Sequence, residues 1–280
     1  MRIAVFAIIT LLFSLVFLSC SGNETPSVPE PPSSPVLTIN DDDRSITLSW
    51  MQSPSDVEGY RVRFENELIA DVPSSQTSIV DTPEFLGTYA VSAYDENSES
   101  DARFVNMPDV KKFSYSFPLL AKELCALKVD TIPKRYVIIR YTGDYGDSTN
   151  EYYADSVDFY LDTLFFFNSP QKIVEEGRWS HAFYTKFKKL GSGLSHQDYE
   201  DWKVLTPYYE SDTSFVDCVE IGGAGDLLEI VTFKQNEPLH TSDKTYGLIY
   251  IISKNEDELS VEFDLKFQLQ KNFCIIGGNE

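Results

Sequence analysis

The chain has 280 residues, 42% of them hydrophobic and 14% aromatic, with 44 acidic against 23 basic residues and a formal charge of -21. Such apolar content excludes a disordered chain, and the length suits two domains of ordinary size. The acidic excess excludes a surface built to hold nucleic acid phosphates or anionic headgroups. A solvated soluble surface accounts for it, with a preference for cationic partners as the sharper alternative.

The first element is an apolar run from Ile3, just behind Arg2, that ends Leu15-Val16-Phe17-Leu18-Ser19-Cys20. At about 16 residues it is shorter than the ~20 that a membrane-spanning helix needs. A positive start, a short apolar core and a small residue at the cut site describe a secretory signal peptide over residues 1–19. Because a cysteine follows the small residue directly, the segment resembles a bacterial lipoprotein signal, with Phe17 where leucine is more usual. The resemblance implies cleavage before Cys20, lipid on that cysteine, and attachment of the mature protein to a membrane of the cell envelope. Ser21 is not the aspartate that retains some lipoproteins in an inner membrane, so the resemblance implies the outer one. An ordinary secreted signal with a chance cysteine is the alternative reading.

Residues 20–35 form a Pro/Ser-rich tether, SGNETPSVPEPPSSP after the cysteine, with no hydrophobic period. Pro29, Pro31 and Pro32 stiffen it toward polyproline II. From Val36 the pattern becomes strand. Ile46, Leu48 and Trp50 share one face, then Tyr60, Val62 and Phe64, then Tyr89, Val91 and Ala93, each separated by polar residues. Short strands at this spacing predict a sandwich over residues 36–107. The acidic stretch Asn40-Asp41-Asp42-Asp43 falls in the loop between the first two strands.

The stretches Ile46-Thr47-Leu48-Ser49-Trp50, Asp56-Val57-Glu58-Gly59-Tyr60-Arg61-Val62 and Gly87-Thr88-Tyr89-Ala90-Val91-Ser92-Ala93-Tyr94 resemble a fibronectin type III domain. The resemblance covers about a quarter of the chain and implies a seven-strand sandwich. It also implies that Trp50 and Tyr60 pack the core, and that Tyr89 anchors a corner through a hydrogen bond to backbone. It implies no chemistry, because such domains serve as spacers and as binding modules.

Residues 108–280 resemble no family and read as a second, mainly antiparallel β domain with little helix. Arg135 to Tyr141, Val157 to Phe167, Arg178 to Lys188, Leu228 to Phe233, Tyr246 to Ile252 and Leu259 to Leu269 have strand patterns. The run Leu164-Phe165-Phe166-Phe167 is expected to be buried. Phe117 to Lys128 fits either helix or strand. Ser195 to Asp198 predicts a capped short helix running to Leu205.

Chemistry-bearing motifs are few. His181, His196 and His240 have no metal or triad spacing. Asp144 and Asp147 flank a turn without the remaining ligands of a calcium loop. Gly222-Gly223-Ala224-Gly225 lacks the Lys-Ser/Thr of a phosphate loop and is followed by acidic residues. With Cys20 lipidated, Cys125, Cys218 and Cys274 allow one disulfide or three packed thiols. Trp179, Trp202, Tyr208 and Tyr209 cluster in sequence. Aromatic rings at such density either fill a β core or stack on sugars, and Trp202, Tyr208 and Tyr209 are the candidate ligand-binding residues.

The leading expectation is therefore a lipid-anchored envelope protein without a cofactor. Its fibronectin-like spacer presents a non-catalytic β domain that binds a glycan or another envelope protein, and no nucleic acid. The alternatives are a surface enzyme acting on glycans and a structural subunit of an envelope assembly.

Overall fold

The structure is a computed structural model that describes residues 28–118, 123–127, 137–140, 158–162, 164–175, 182–209, 211–234 and 243–278. Cys20, Asp144, Asp147, Trp179, His181 and His240 lie outside the described residues. The fold is mainly antiparallel β.

Seven strands build the first unit: β1 (Val36–Ile39), β2 (Ile46–Ser49), β3 (Gly59–Phe64), β4 (Glu67–Pro73), β5 (Ser78–Asp81), β6 (Thr88–Tyr94) and β7 (Arg103–Asn106). They form two antiparallel sheets of order β1-β2-β5 and β4-β3-β6-β7, which is the strand arrangement of a fibronectin type III sandwich. The period-two alternation places Ile46, Leu48, Tyr60, Val62, Tyr89, Val91 and Ala93 between the sheets at 0% exposure. Trp50 meets the Tyr60 ring edge-on at 5.6 Å. Glu65 and Asn66 take left-handed φ values of 47° and 70°, which a two-residue hairpin between β3 and β4 requires. The Tyr89 hydroxyl departs from the family expectation. It donates to the carboxylate of Asp81, the last residue of β5, at 2.6 Å rather than to backbone.

On the outer face of the larger sheet, Glu99 receives Arg63 at 2.6 Å, Arg61 at 2.5 Å and the Ser92 hydroxyl at 2.5 Å. The Arg63 hydrogen bond leads, with Ser92 and Arg61 behind it, and together they outweigh partial burial and hold the Glu99 carboxyl at about 2. A carboxyl whose folded value lies below its ordinary 4.5 adds stability that is present above that value and lost as pH falls toward the folded one. Glu99→Gln should therefore cost about 1–2 kcal/mol at neutral pH, and the difference should vanish on acidification. Urea midpoints of parent and variant at neutral pH and near the folded value measure this. A gap unchanged by acid would refute it.

Among the described residues the second unit has two sheets. The first has order β13-β15-β16-β17-β8, from β8 (Val110–Pro118), β13 (Phe183–Gly191), β15 (Leu227–Lys234), β16 (Thr245–Asn255) and β17 (Ser260–Gln268). The second has order β10-β9-β11-β12-β14, from β9 (Glu123–Leu127), β10 (Val137–Arg140), β11 (Phe159–Leu161), β12 (Phe166–Asn168) and β14 (Cys218–Glu220). The described residues of the stretch that fitted helix or strand are strand: Phe117 and Pro118 end β8, and Glu123–Leu127 are β9. The alternation along β17 turns Val261, Phe263, Leu265 and Phe267 inward. Phe117, Phe159 and Phe167 surround Phe263, with centroid distances of 5.0, 6.3 and 5.3 Å.

The larger sheet is covered on its other face too. Tyr199, Leu205, Tyr208 and Phe215 cross it and pack on Leu227, Val231, Phe233, Tyr246 and Leu248. Burial on both faces explains why β15 and β16 read as continuous apolar runs rather than alternating ones. Two expectations are corrected here. Leu164 is 71% exposed, because Asp162 accepts from the Leu164 and Phe166 amides and makes the run a turn tip. Only Phe165 and Phe167 of that run are buried. The helix that begins at Ser195 ends at Asp201, not at Leu205, because Trp202 takes an extended conformation and Leu205 donates to the Cys274 carbonyl instead.

The C-terminal residues return to the first unit. Phe273 and Ile275 lie in its core, while Cys274 and Ile276 face the core of the second. Successive side chains of one extended segment point to opposite sides, so a single segment serves both cores. Hydrogen bonds from Leu86 to the Gly277 carbonyl, and from Ile276 to the Lys203 carbonyl, hold it to each unit. At Gly277 an added Cβ would stand 2.7 Å from the Trp202 carbonyl, so the close approach needs glycine.

Candidate functional site

The junction leaves an open cleft of about 630 Å³. Thr88 and Asn106 line it from the first unit, and Asp109 from the connection between β7 and β8. Gln197, Glu200, Asp201 and Lys203 line it from the second, and Gly277 and Gly278 lie between. The side chains of the second unit come from the helix α2 (His196–Asp201; the shorter α1 spans Gln171–Glu175) and the residues that follow it. Ser195 caps α2 with a reciprocal capping box: its hydroxyl accepts from the Asp198 amide while Asp198 accepts from the Ser195 amide.

Buried Lys266 secures the other end of α2. Its ammonium donates to the Tyr199 and Glu200 carbonyls at 2.6 and 2.8 Å and lies 3.2 Å from the Glu200 carboxylate. A cation there meets the unsatisfied carbonyls of the last turn and the negative end of the helix dipole. His196 contacts Asp264 at 2.8 Å, which ties the start of α2 to β17. The cleft wall is thus docked on the sheet at both ends.

Glu200 accepts from Lys112 at 2.7 Å. Burial works to raise its carboxyl, but the Lys112 hydrogen bond and the charges of Lys266 and Lys112 outweigh it, and the group is held below its usual range. An ionised carboxylate accepts hydrogen bonds from hydroxyls. A carboxyl that delivers a proton to a leaving group needs the opposite shift.

The candidate aromatic residues occupy three different settings. Trp202 is half-buried. Its indole N–H donates to the Val204 carbonyl at 3.0 Å, and one edge of the ring packs on the second core. The rest lines a shallow pocket of about 360 Å³ with Leu194, Asp198, Asp201, Lys203 and Val204. Asp201 and Lys203 line both this pocket and the larger cleft, so the two adjoin. Tyr208 is buried at 6% exposure and stacks on Phe233 at 5.5 Å, so its ring is a core ring. Tyr209 is 54% exposed and lines neither pocket.

The glycine loop is an acidic turn. Gly225 has φ +81° and packs against Gly193, and the Asp226 carboxylate accepts from the Gly222 amide at 2.7 Å and from Lys189 at 2.8 Å. The loop amide that would greet a phosphate is already taken. Cys218 is exposed and Cys274 buried, and both are free thiols. Burial, then the charge of Asp43, push the Cys274 thiol up to about 12. Among the described residues no group of His, Cys, Asp and Glu is arranged to hold a metal.

Sequence reasoning missed the cluster beside Cys274. Asp43, in the acidic loop between β1 and β2, is only 2% exposed. Its carboxylate accepts from the Lys244 ammonium and from the Tyr246 hydroxyl, and its carbonyl accepts from the Cys274 amide. In sequence Asp43 is one of three consecutive aspartates, and nothing in that run separates the inward one from its neighbours.

No protein-family model matches this chain, and no curated protein does. Among solved structures, the spore cortex lytic enzyme of Clostridium perfringens is 16% identical, with a TM-score of 0.26 over 31% of each chain. The chain thus spans about 31% of the length of that enzyme. A segment of two fibronectin type III domains from chicken tenascin is 9% identical over 79% of this chain and 99% of its own, with a TM-score of 0.28. The central fibronectin type III array of RIM-binding protein is 7% identical over 81% and 80%, with a TM-score of 0.25. Likenesses this distant say nothing about ligand or activity.

Proposed function

We propose that this is a lipid-anchored protein of the outer membrane of a bacterial envelope that binds a neutral glycan without altering it. Cys20 carries the anchor and residues 21–28 lift the folded part off the membrane; the rest of the Pro/Ser-rich segment lies along the first unit, where Glu30 and Ser33 hydrogen-bond with Ser53, Ser55 and Met51, so the spacer is shorter than the 20–35 expected from the sequence. The fibronectin-like unit forms one wall of the binding cleft. The observation that carries the reading is the cleft itself: hydroxyl, amide and carboxylate groups of Thr88, Asn106, Gln197, Glu200 and Asp201 adjoin the partly buried ring of Trp202. Planar polar groups beside one aromatic face match a sugar, which offers hydroxyls at its rim and C–H bonds on its face. The charge of -21 disfavours anionic polymers. The lowered Glu200 carboxyl favours holding a sugar over protonating one.

The test is a glycan array at low and high salt, run with the parent and Trp202→Ala. Binding that survives salt and weakens about tenfold in the variant, or about 1.4 kcal/mol, supports the reading. Binding abolished by salt points instead to a basic protein partner, because charges on a surface are screened over a Debye length of ~8 Å at physiological strength. Shortened sugar products would contradict the non-catalytic role. The anchor is tested separately by Cys20→Ala, which should leave the membrane fraction or remain unprocessed. Two or more acyl chains hold a soluble domain firmly, at roughly 0.8 kcal/mol per buried methylene. A variant that is cut at the same place and stays with the membrane would rule the anchor out.

A further inference from the structure

Asp43 and Lys244 meet inside the molecule, where their side chains are 3% and 8% exposed. One belongs to the first unit and the other to the edge of β16 in the second. As an ion pair the contact is poorly provided for. An ammonium has three protons to donate, and among the described residues Lys244 Nζ finds a single acceptor atom, Asp43 Oδ2. Burying two charges is costly unless the remaining donors and acceptors are also met. A secondary amide between the two side chains carries no charge and has one N–H to satisfy. The same two groups are therefore better suited to this environment joined than apart.

We infer that Lys244 and Asp43 form an intramolecular isopeptide bond that staples the two units together. The surroundings fix both reactants. Asp43 sits at φ 59°, and its carbonyl is tied to the Cys274 amide at 2.9 Å. Lys244 exchanges two hydrogen bonds of 2.8 Å with Asn272, through its amide and its carbonyl. The Tyr246 hydroxyl donates to the carboxylate at 2.5 Å, on the same oxygen that the lysine meets. Burial, then the charge of Asp43, push that phenol well above its ordinary value, so it remains a donor.

The step balances without any co-reactant. The ammonium gives one proton to Asp43 Oδ2, the oxygen it meets, and the free amine attacks Cγ to form the N–C bond, leaving the negative charge on Oδ1. The Tyr246 hydroxyl donates to Oδ2 and so steadies the oxygen that must leave. The Cγ–Oδ2 bond then breaks, and the hydroxyl leaves with a second proton from nitrogen as water. An ammonium and a carboxylate become one neutral amide and one water, and nothing is oxidised or reduced.

Peptide mapping of the purified full chain decides the matter. Trypsin should leave Lys244 uncut and yield the peptide ending at Arg44 joined to residues 235–254, lighter than the sum of the two by one water. Recovery of residues 235–244 and 245–254 as separate, unmodified peptides would overturn the bond and leave a buried ion pair. Lys244→Arg keeps the charge but has no amine of the same reach, and folded or not it must show neither the joined peptide nor the loss of water. Loss of water persisting in that variant would place the dehydration elsewhere and equally overturn the assignment.

Discussion

Trp50→Ala is expected to lose roughly 3–5 kcal/mol of stability, the range for truncating a large aromatic side chain in a core. Trp50 is 5% exposed, lies edge-on to Tyr60, and belongs to the cluster that includes Ile46, Leu48, Val62 and Val91. Its indole N–H has no partner among the described residues, so the ring contributes through packing, and relief of the unmet donor offsets only part of that loss on its removal. A loss of that size is comparable to the whole margin of a typical domain, 5–15 kcal/mol. Urea unfolding of parent and variant measures it. Trp202→Ala serves as the comparison, because Trp202 is only half-buried and should cost markedly less. Equal midpoints for the parent and Trp50→Ala would mean that the sandwich core is misassigned.

Phe273→Ala is expected to cost about as much, roughly 3–5 kcal/mol. Phe273 and Ile275 are both at 0% exposure and pack with Trp50, Tyr60 and Tyr89, although they lie near the opposite end of the chain. Cys274 and Ile276, between and beside them, are buried against Leu227, Val231 and Tyr246 of the second unit. A cavity at Phe273 therefore opens in the first core, but it loosens a segment that the second core also uses. Hydrogen exchange should show reduced protection of amides in β2 and β6 as well as at Leu205, which donates to the Cys274 carbonyl. Unchanged stability, or loss confined to the last residues, would mean that the segment only lies along the surface.

The strand pattern made much of the fold legible. Alternation identified β2, β3, β6 and β17 with the correct inward faces, because each has one buried and one polar face and the period of two fixes the register. The signal failed where both faces are buried, as in β15 and β16, whose apolar runs name a strand but not what covers it. It failed also at Leu164, where an aspartate two residues earlier makes a turn of an apolar run. The capping box at Ser195 was readable, being a local device, whereas the end of α2 was not, because Cys274 and Lys266 decide it from far along the chain. The same holds for the site. Trp202 was visible as a member of an aromatic cluster with Trp179, Tyr208 and Tyr209. Tyr208, its neighbour in the list of candidates, is a core ring because of Phe233 and Phe215, which no local pattern ties to it. Asp43 became distinctive only when folding brought Lys244 and Tyr246 to it.

Two β units, joined by Asp43, Lys244 and the segment from Phe273 to Gly278, fold as one body with the cleft of Thr88, Glu200 and Lys203 between them. Scanning calorimetry of the protein tests this most directly. The account predicts one transition whose calorimetric and van't Hoff enthalpies agree, the mark of all-or-none unfolding. Two separate transitions, each with the enthalpy of a single sandwich, would contradict it.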